Sequence, residues 1–356
     1  MILKETFDKS RITGFRSKYK NADPGILDKM IHALTLLEEL TVSGLDFIFK
    51  GGTSLVLLLQ ETHRFSTDID IITESSIEEI QDHLTKIISK GLFTSWKLDE
   101  KRSKNSRIPK AHFEISFQSQ LSGKETEVIL DVLFSSNPYP ALISCPIQSE
   151  WMITSDPISL ARIPSIECIL GDKLTAFAPG TTGIPYGKNK DVEMIKQLFD
   201  ISLLIDRSLD FNLVRDSFLS TAEKEIGYRN NTCSIPNIID DVFKTALILA
   251  KRERNNSGHD EDGFREMQLG IKKIEHFAAN QKFHIEEAIA GSAKAAYLLC
   301  LFSKNTAANF SHYTEPIDLT SWSILNTQYN FLNRFQKTNK SAFYYWYSLL
   351  KERNEL

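Results

Sequence analysis

Two neighbouring stretches decide the fold: Phe47-Ile-Phe-Lys-Gly-Gly-Thr-Ser-Leu55 and His63-Arg-Phe-Ser-Thr-Asp-Ile-Asp-Ile-Ile72. Residues 46–50 read as a short strand that Gly51-Gly52 breaks, and 53–59 as a helix opened by a capping hydroxyl. Residues 67–72 alternate polar and apolar with period two, which predicts a half-buried strand. Side chains two apart on a strand point the same way, so Asp68 and Asp70 project together while Ile69, Ile71 and Ile72 hold the core. Two like charges this close are unfavourable unless neutralised. A divalent cation does that, and Mg²⁺ prefers carboxylate oxygens together with substrate phosphates. Gly51 and Gly52 let the backbone approach a ligand without a Cβ clash. The helix begun at Thr53 turns unpaired N–H groups and a positive dipole end toward a phosphate, and Ser54 adds a hydroxyl donor. If two metals are held, a third acid is expected. Asp131, in Val128-Ile-Leu-Asp-Val-Leu133, is a strand carboxylate that wants a partner or a metal. Asp68, Asp70 and Asp131 would then clamp two Mg²⁺ ions about 4 Å apart, one activating an attacking hydroxyl and the other holding a triphosphate. Gly-Gly alone is usually a turn, and Asp-x-Asp alone is often the wet face of a strand. Their combination is what points to phosphate chemistry.

Outward from this centre, 24–40 reads as an amphipathic helix capped by Asp23 before Pro24, and 76–90 as another helix. His112–Ser119 and Glu127–Phe134 alternate as paired strands across a turn-rich link at 120–124. A Pro-rich transition at 137–146 follows. Beyond Pro164 the pattern is almost wholly helical, with candidates at 165–178, 190–206, 211–226, 237–252, 263–278, 284–303, 321–337 and 341–353. The expected class is α+β: an N-terminal domain over residues 1–160, then an α-helical domain over 161–356 that completes the active-site cleft.

The chain has 356 residues, 42 basic and 46 acidic, for a formal net charge of −4. That balance excludes a nucleic-acid binder held only by bulk positive charge, and 22 Phe with 10 Tyr exclude a disordered chain. Cys145, Cys168, Cys233 and Cys300 form no CxxC pair and read as free buried thiols. No signal peptide and no membrane-spanning run is legible, so a cytoplasmic location is expected.

The same residues carry a resemblance. Gly-Gly-Thr-Ser, then Asp-x-Asp, then a later strand Asp resembles the DNA polymerase β-type nucleotidyltransferases. Lys50-Gly-Gly-Thr-Ser-Leu55 with Arg64-Phe-Ser-Thr-Asp-Ile-Asp70 is similar to the AbiEii/AbiGii toxin family. The likeness continues at Ile166-Glu-Cys-Ile-Leu-Gly-Asp-Lys-Leu-Thr-Ala176 and Lys196-Gln-Leu-Phe-Asp-Ile201. It implies a polymerase β-like N-terminal domain with a mixed sheet. It also implies nucleotide binding through Gly51, Gly52, Thr53, Ser54, Arg64 and Lys173, and metal binding by Asp68 and Asp70, with Asp131 carried from the wider superfamily. Asp200 is then the late acid, either a base or the partner that orients Lys173, with Asp191 the other candidate. Arg64 either contacts substrate or pairs with a carboxylate.

The implied activity is Mg²⁺-dependent transfer of a nucleotidyl group from an NTP to an acceptor, RNA such as a tRNA 3′ end, by the toxin of an abortive-infection (phage-defence) toxin–antitoxin system. A cognate antitoxin is expected nearby, possibly without a tight complex. The alternatives are a non-toxic transferase acting on a small molecule or protein, and a non-catalytic nucleotide- or RNA-binding regulator. Three further features have two readings each. The basic loop Lys101–Lys110 could hold an RNA backbone or be an exposed charged loop. Phe343-Tyr-Tyr-Trp-Tyr347 could stack on bases, although a core-facing helix is the commoner explanation. His259-Asp-Glu-Asp262 looks like a metal cluster on paper and reads better as a solvated acidic turn.

Overall fold

In the computed structural model, which describes all residues except 21, 60, 105–107 and 253–256, the chain forms two compact units. The first comprises Met1–Ser165 together with His276–Gln281, and the second Ile166–Glu275 together with Lys282–Leu356. Part of the basic loop, 105–107, lies outside the described residues.

The first unit begins with a short helix, α1 (Lys9–Gly14), and a long one, α2 (Pro24–Val42). The Asp23 carboxylate accepts from Gly25 N–H at 2.7 Å, with Pro24 at the first helical position, as the sequence predicts. There follow β1 (Ile48–Lys50), α3 (Gly51–Leu58), β2 (Ile69–Thr73), α4 (Ile77–Ile88), β3 (Phe93–Leu98), α5 (Glu100–Lys104), β4 (Lys110–Gln118) and β5 (Glu125–Phe134). The five strands make one mixed sheet in the order β1-β2-β5-β4-β3, with β2 and β5 parallel and every other pair antiparallel. β6 (Leu142–Pro146), in the Pro-rich transition, and β7 (Leu160–Pro164) form a separate antiparallel pair.

One face of the sheet is apolar: Phe49, Ile69, Ile71, Phe113, Ile115, Leu130 and Val132 are buried, as are Leu27, Met30, Ile31, Leu34 and Leu37 of α2. Burial of that area is the main stabilising term. The opposite face carries Lys50, Asp70 and Asp131 beside Ile48, Ile72 and Leu133.

The segment that leads into β2 is braced from two places. Trp151 is fully buried against Phe15, Tyr19 and Phe65, at ring distances of 4.5, 4.9 and 5.6 Å. Its indole N–H donates to Thr62 Oγ1 at 2.7 Å. From far along the sequence, His276–Gln281 returns to pair with residues 63–65: Phe65 N–H donates to Phe277 O at 2.7 Å and Ala279 N–H to His63 O at 2.9 Å. This pairing is why the helix expected over 263–278 stops early.

The second unit is helical: α6 (Ile166–Ala176), α7 (Asp191–Arg207), α8 (Phe211–Tyr228), α9 (Ile235–Lys251), α10 (His259–Lys273), α11 (Ile285–Ser303), α12 (Phe335–Thr338) and α13 (Lys340–Arg353). The acidic run at 259–262 opens α10 rather than forming a loop. Much of the helix expected at 321–337 is irregular chain. There the Asn333 amide bonds both backbone groups of Ile324, and Gln336 donates to Leu319 O and Trp322 O, taking the roles a helical ladder would fill. Phe343, Tyr345 and Trp346 are buried, so the C-terminal aromatic run is core. Cys145, Cys168 and Cys300 are buried, whereas Cys233 is part-exposed; burial pushes the thiols of Cys145 and Cys300 up. No helix among the described residues is long and apolar enough to cross a membrane.

Trp151→Ala should remove the main brace of the segment before β2. An unfolding free energy lower by about 3–5 kcal/mol is expected in urea titration, the usual cost of deleting a buried tryptophan. A loss under about 1 kcal/mol would contradict this packing.

Candidate active site

The Gly51-Gly52 turn is shaped by its own protein neighbours. Helix α3 starts at Gly51, two residues before the expected point, with Lys50 as N-cap. Gly51 has φ +80°, and a Cβ there would lie 2.1 Å from Asp70 Oδ2. A Cβ on Gly52 would lie 2.1 Å from Arg64 Nη2. The space the glycines leave free is thus filled by one carboxylate and one guanidinium. Arg64 is buried, and it also donates to Phe65 O at 3.2 Å.

Thr53 and Ser54 do not fill the roles expected of them. Both are fully buried. The Thr53 hydroxyl donates to Asp68 O and is in hydrogen-bonding contact with Ser66 Oγ at 2.9 Å, tying α3 to the approach to β2. Ser54 Oγ donates to Gly51 O at 2.8 Å. What this turn can offer a phosphate is therefore the backbone N–H groups of the first helical turn, which have no intrahelical acceptor.

The carboxylates are organised by strand register. Lys50 opposes Asp70 across β1 and β2, Asp70 opposes Asp131 across β2 and β5, and Asp131 opposes His112 across β5 and β4. Paired residues share a face, so Lys50, Asp70, Asp131 and His112 form one polar row across four strands. Neighbouring strands lie about 4.8 Å apart, which sets Asp70 beside Asp131. His112 is buried and its Nδ1 is bonded to Asp131 Oδ1. Asp68 stands just before β2, its carboxylate exposed and near the Thr67 hydroxyl at 3.3 Å.

The expected three-aspartate clamp is not assembled, because among the described residues no three His, Cys, Asp or Glu side chains converge as metal ligands. The Asp131 carboxylate is drawn toward His112, and that of Asp70 lies over Gly51. The donor set at Asp70 and Asp131 nonetheless fits Mg²⁺: two adjacent hard-oxygen carboxylates, with no thiol among them. Mg²⁺ takes one or two carboxylates and fills its remaining positions with water and phosphate oxygens.

In the second unit, Lys173 on α6 and Asp200 on α7 are both buried, with Nζ 2.7 Å from Oδ2. Gln197 Oε1 accepts from the same ammonium at 3.3 Å. Asp191 instead pairs with Lys273 at 2.7 Å. Of the two candidates, Asp200 is the acid that orients Lys173. Sequence reasoning assigned no role to Lys50 or His112. Only the register of the sheet brings them into the row.

Residues 35–280 match the family described as the nucleotidyl transferase AbiEii toxin of type IV toxin–antitoxin systems. The chain belongs to this family. Among solved structures it is similar to a candidate nucleotidyltransferase from H. pylori, with 16% identity and a TM-score of 0.46, over 80% of this chain and 97% of that one. It is also similar to JHP933 from Helicobacter pylori, with 18% identity and a TM-score of 0.36, over 69% of this chain and 93% of that one. No curated protein matches the sequence.

Two outcomes are expected from urea titrations. Gly51→Ala must adopt a left-handed backbone and displace the Asp70 carboxylate, so it should lose about 1–3 kcal/mol; unchanged stability would contradict the close approach. Asp200→Ala strands a buried ammonium and should lose about 3–5 kcal/mol, whereas the double change Lys173→Met with Asp200→Leu should lose less.

Proposed function

We propose that this AbiEii-family chain is the toxin of a type IV toxin–antitoxin pair and transfers a nucleotidyl group from an NTP to RNA, with a tRNA 3′ end as the favoured acceptor. The acceptor hydroxyl oxygen bonds to the α-phosphorus, the bond from that phosphorus to the bridging oxygen breaks, and pyrophosphate leaves with that oxygen. The observation that carries this reading is the juxtaposition of Asp70 with Asp131, beside the first turn of α3. Two adjacent carboxylates and the N–H groups of a first helical turn, which lack intrahelical acceptors, are the complement of a metal-loaded triphosphate.

Asp70 and Asp131, with Asp68 at the edge, would hold magnesium. When bound, that ion supplies charge neutralisation to the triphosphate and lowers the pKa of a coordinated hydroxyl. The chain's own groups do the rest. The N–H groups of the α3 first turn bind phosphate oxygens. The Arg64 guanidinium adds a fixed positive charge next to that turn. Lys173, oriented by Asp200, neutralises phosphate charge. Modification of an essential RNA in the cytoplasm would stop growth, and a cognate antitoxin would oppose it.

Pure protein should be incubated with total RNA, Mg²⁺ and each α-labelled NTP in turn. Label should enter the RNA fraction with at least one NTP and fall to background with Asp70→Ala. Induction in cells should arrest growth for the wild type and not for Asp70→Ala. Label in small molecules with no growth arrest would favour the non-toxic transferase, and no label in any tube would overturn the proposal.

A further inference from the structure

The His112 ring sits at the end of the polar row in an unusual state. It is 5% exposed, Nδ1 is bonded to Asp131 Oδ1, and Nε2 is buried with no hydrogen-bonding partner among the described residues. A phenyl ring would fill this space without stranding a polar atom. The imidazole therefore contributes one thing that packing does not: an N–H aimed at Asp131. Its backbone is fixed from both sides. His112 N–H donates to Ser103 Oγ at 3.1 Å, and His112 O accepts from Asp99 N–H at 2.8 Å. Those two bonds tie the strand at His112 to α5 and to the residue that joins β3 to it, so ring position follows from backbone position. Asp131 itself is part-exposed, with a side-chain accessibility of 30%, and stands in register with Asp70.

We infer that His112 is a positioning residue: its Nδ1–H holds one oxygen of Asp131 and thereby turns the other toward Asp70, so that the pair presents a fixed two-carboxylate seat for a divalent cation. This inference rests on the metal-dependent reading above. A carboxylate on a strand can rotate about its terminal torsion at little cost. Two adjacent carboxylates repel and would rotate apart. A donor on the far side of Asp131 opposes that rotation, which is the part outer partners play at metal sites.

The test is Mn²⁺ binding to the full chain, followed by the loss of the free-ion EPR signal, without nucleotide or RNA. Asp131→Asn should weaken binding, and His112→Phe should weaken it by about 10- to 100-fold at unchanged melting temperature. His112→Asn places an amide N–H where Nδ1 lies and should restore affinity to near the wild-type value. His112→Gln places its amide where Nε2 lies and should not. A wild type that fails to bind Mn²⁺, His112→Phe at wild-type affinity, or a loss in His112→Asn as large as in His112→Phe each overturns the inference. Labelling separates the two readings. RNA labelling with an unmoved His112→Phe affinity sinks this inference alone. The expected Mn²⁺ series with no labelling by the wild type sinks the proposed function alone.

Discussion

The parallel pairing of β2 with β5 is the constraint on which the polar face depends. It sets Asp70 against Asp131 in direct register, with Ile69, Ile71, Leu130 and Val132 turned to the other side. A slip of one residue would send one carboxylate into the apolar layer under α2 and leave an isoleucine or valine in its place. The buried face therefore guards the polar one: the register that packs the core is the only one that pairs the acids. What remains is repulsion between neighbouring negative charges. Lys50 bounds the row on one side and His112 on the other.

The groups around the glycine turn show how little of the site is left to chance. Thr53 and Ser54 direct their hydroxyls to backbone carbonyls inside the protein: Thr53 to Asp68 O, tying α3 to the approach to β2, and Ser54 to Gly51 O within the first turn of α3. The two glycines admit Asp70 and Arg64 so closely that any side chain there would have to displace the carboxylate or the guanidinium. Opposite charges are thus held against the first two residues of α3. In the second unit the same economy recurs at Lys173 and Asp200, where a buried ammonium is kept in one orientation by a carboxylate and an amide.

Much of this was legible before any coordinates. The period-two run at 67–72 and the capped apolar stripe at 24–40 became β2 and α2 because local pattern and tertiary burial agree there. The pairing of Asp70 with Asp131 was foreseeable as chemistry but not as register, since nothing local says which strand lies beside which. β3 was missed because its exposed edge, Phe93–Leu98, lacks a buried stripe on which alternation could be read. Residues 321–329 misled because Asn333 and Gln336 satisfy the backbone from outside, a long-range substitution that periodicity does not see. His112 sat in plain view at the head of an alternating run, yet a single histidine carries no spacing signal. The AbiEii likeness supplied Lys173 and Asp200, which composition alone would have read as a snorkelling lysine and a buried ion pair.

The return of His276–Gln281 to residues 63–65 has a consequence for the order of events during synthesis. The backbone flanking Arg64 meets its hydrogen-bonding partners only after more than two hundred further residues have been made. At translation rates of about 5–20 residues per second, that is a delay of ten seconds or more. For the last part of it, once Asp131 has been made, the nascent chain carries both aspartates of the polar row but lacks the last strand-like brace beside the glycine turn. A chain built this way completes the surroundings of its glycine turn late, after most of its length has been made.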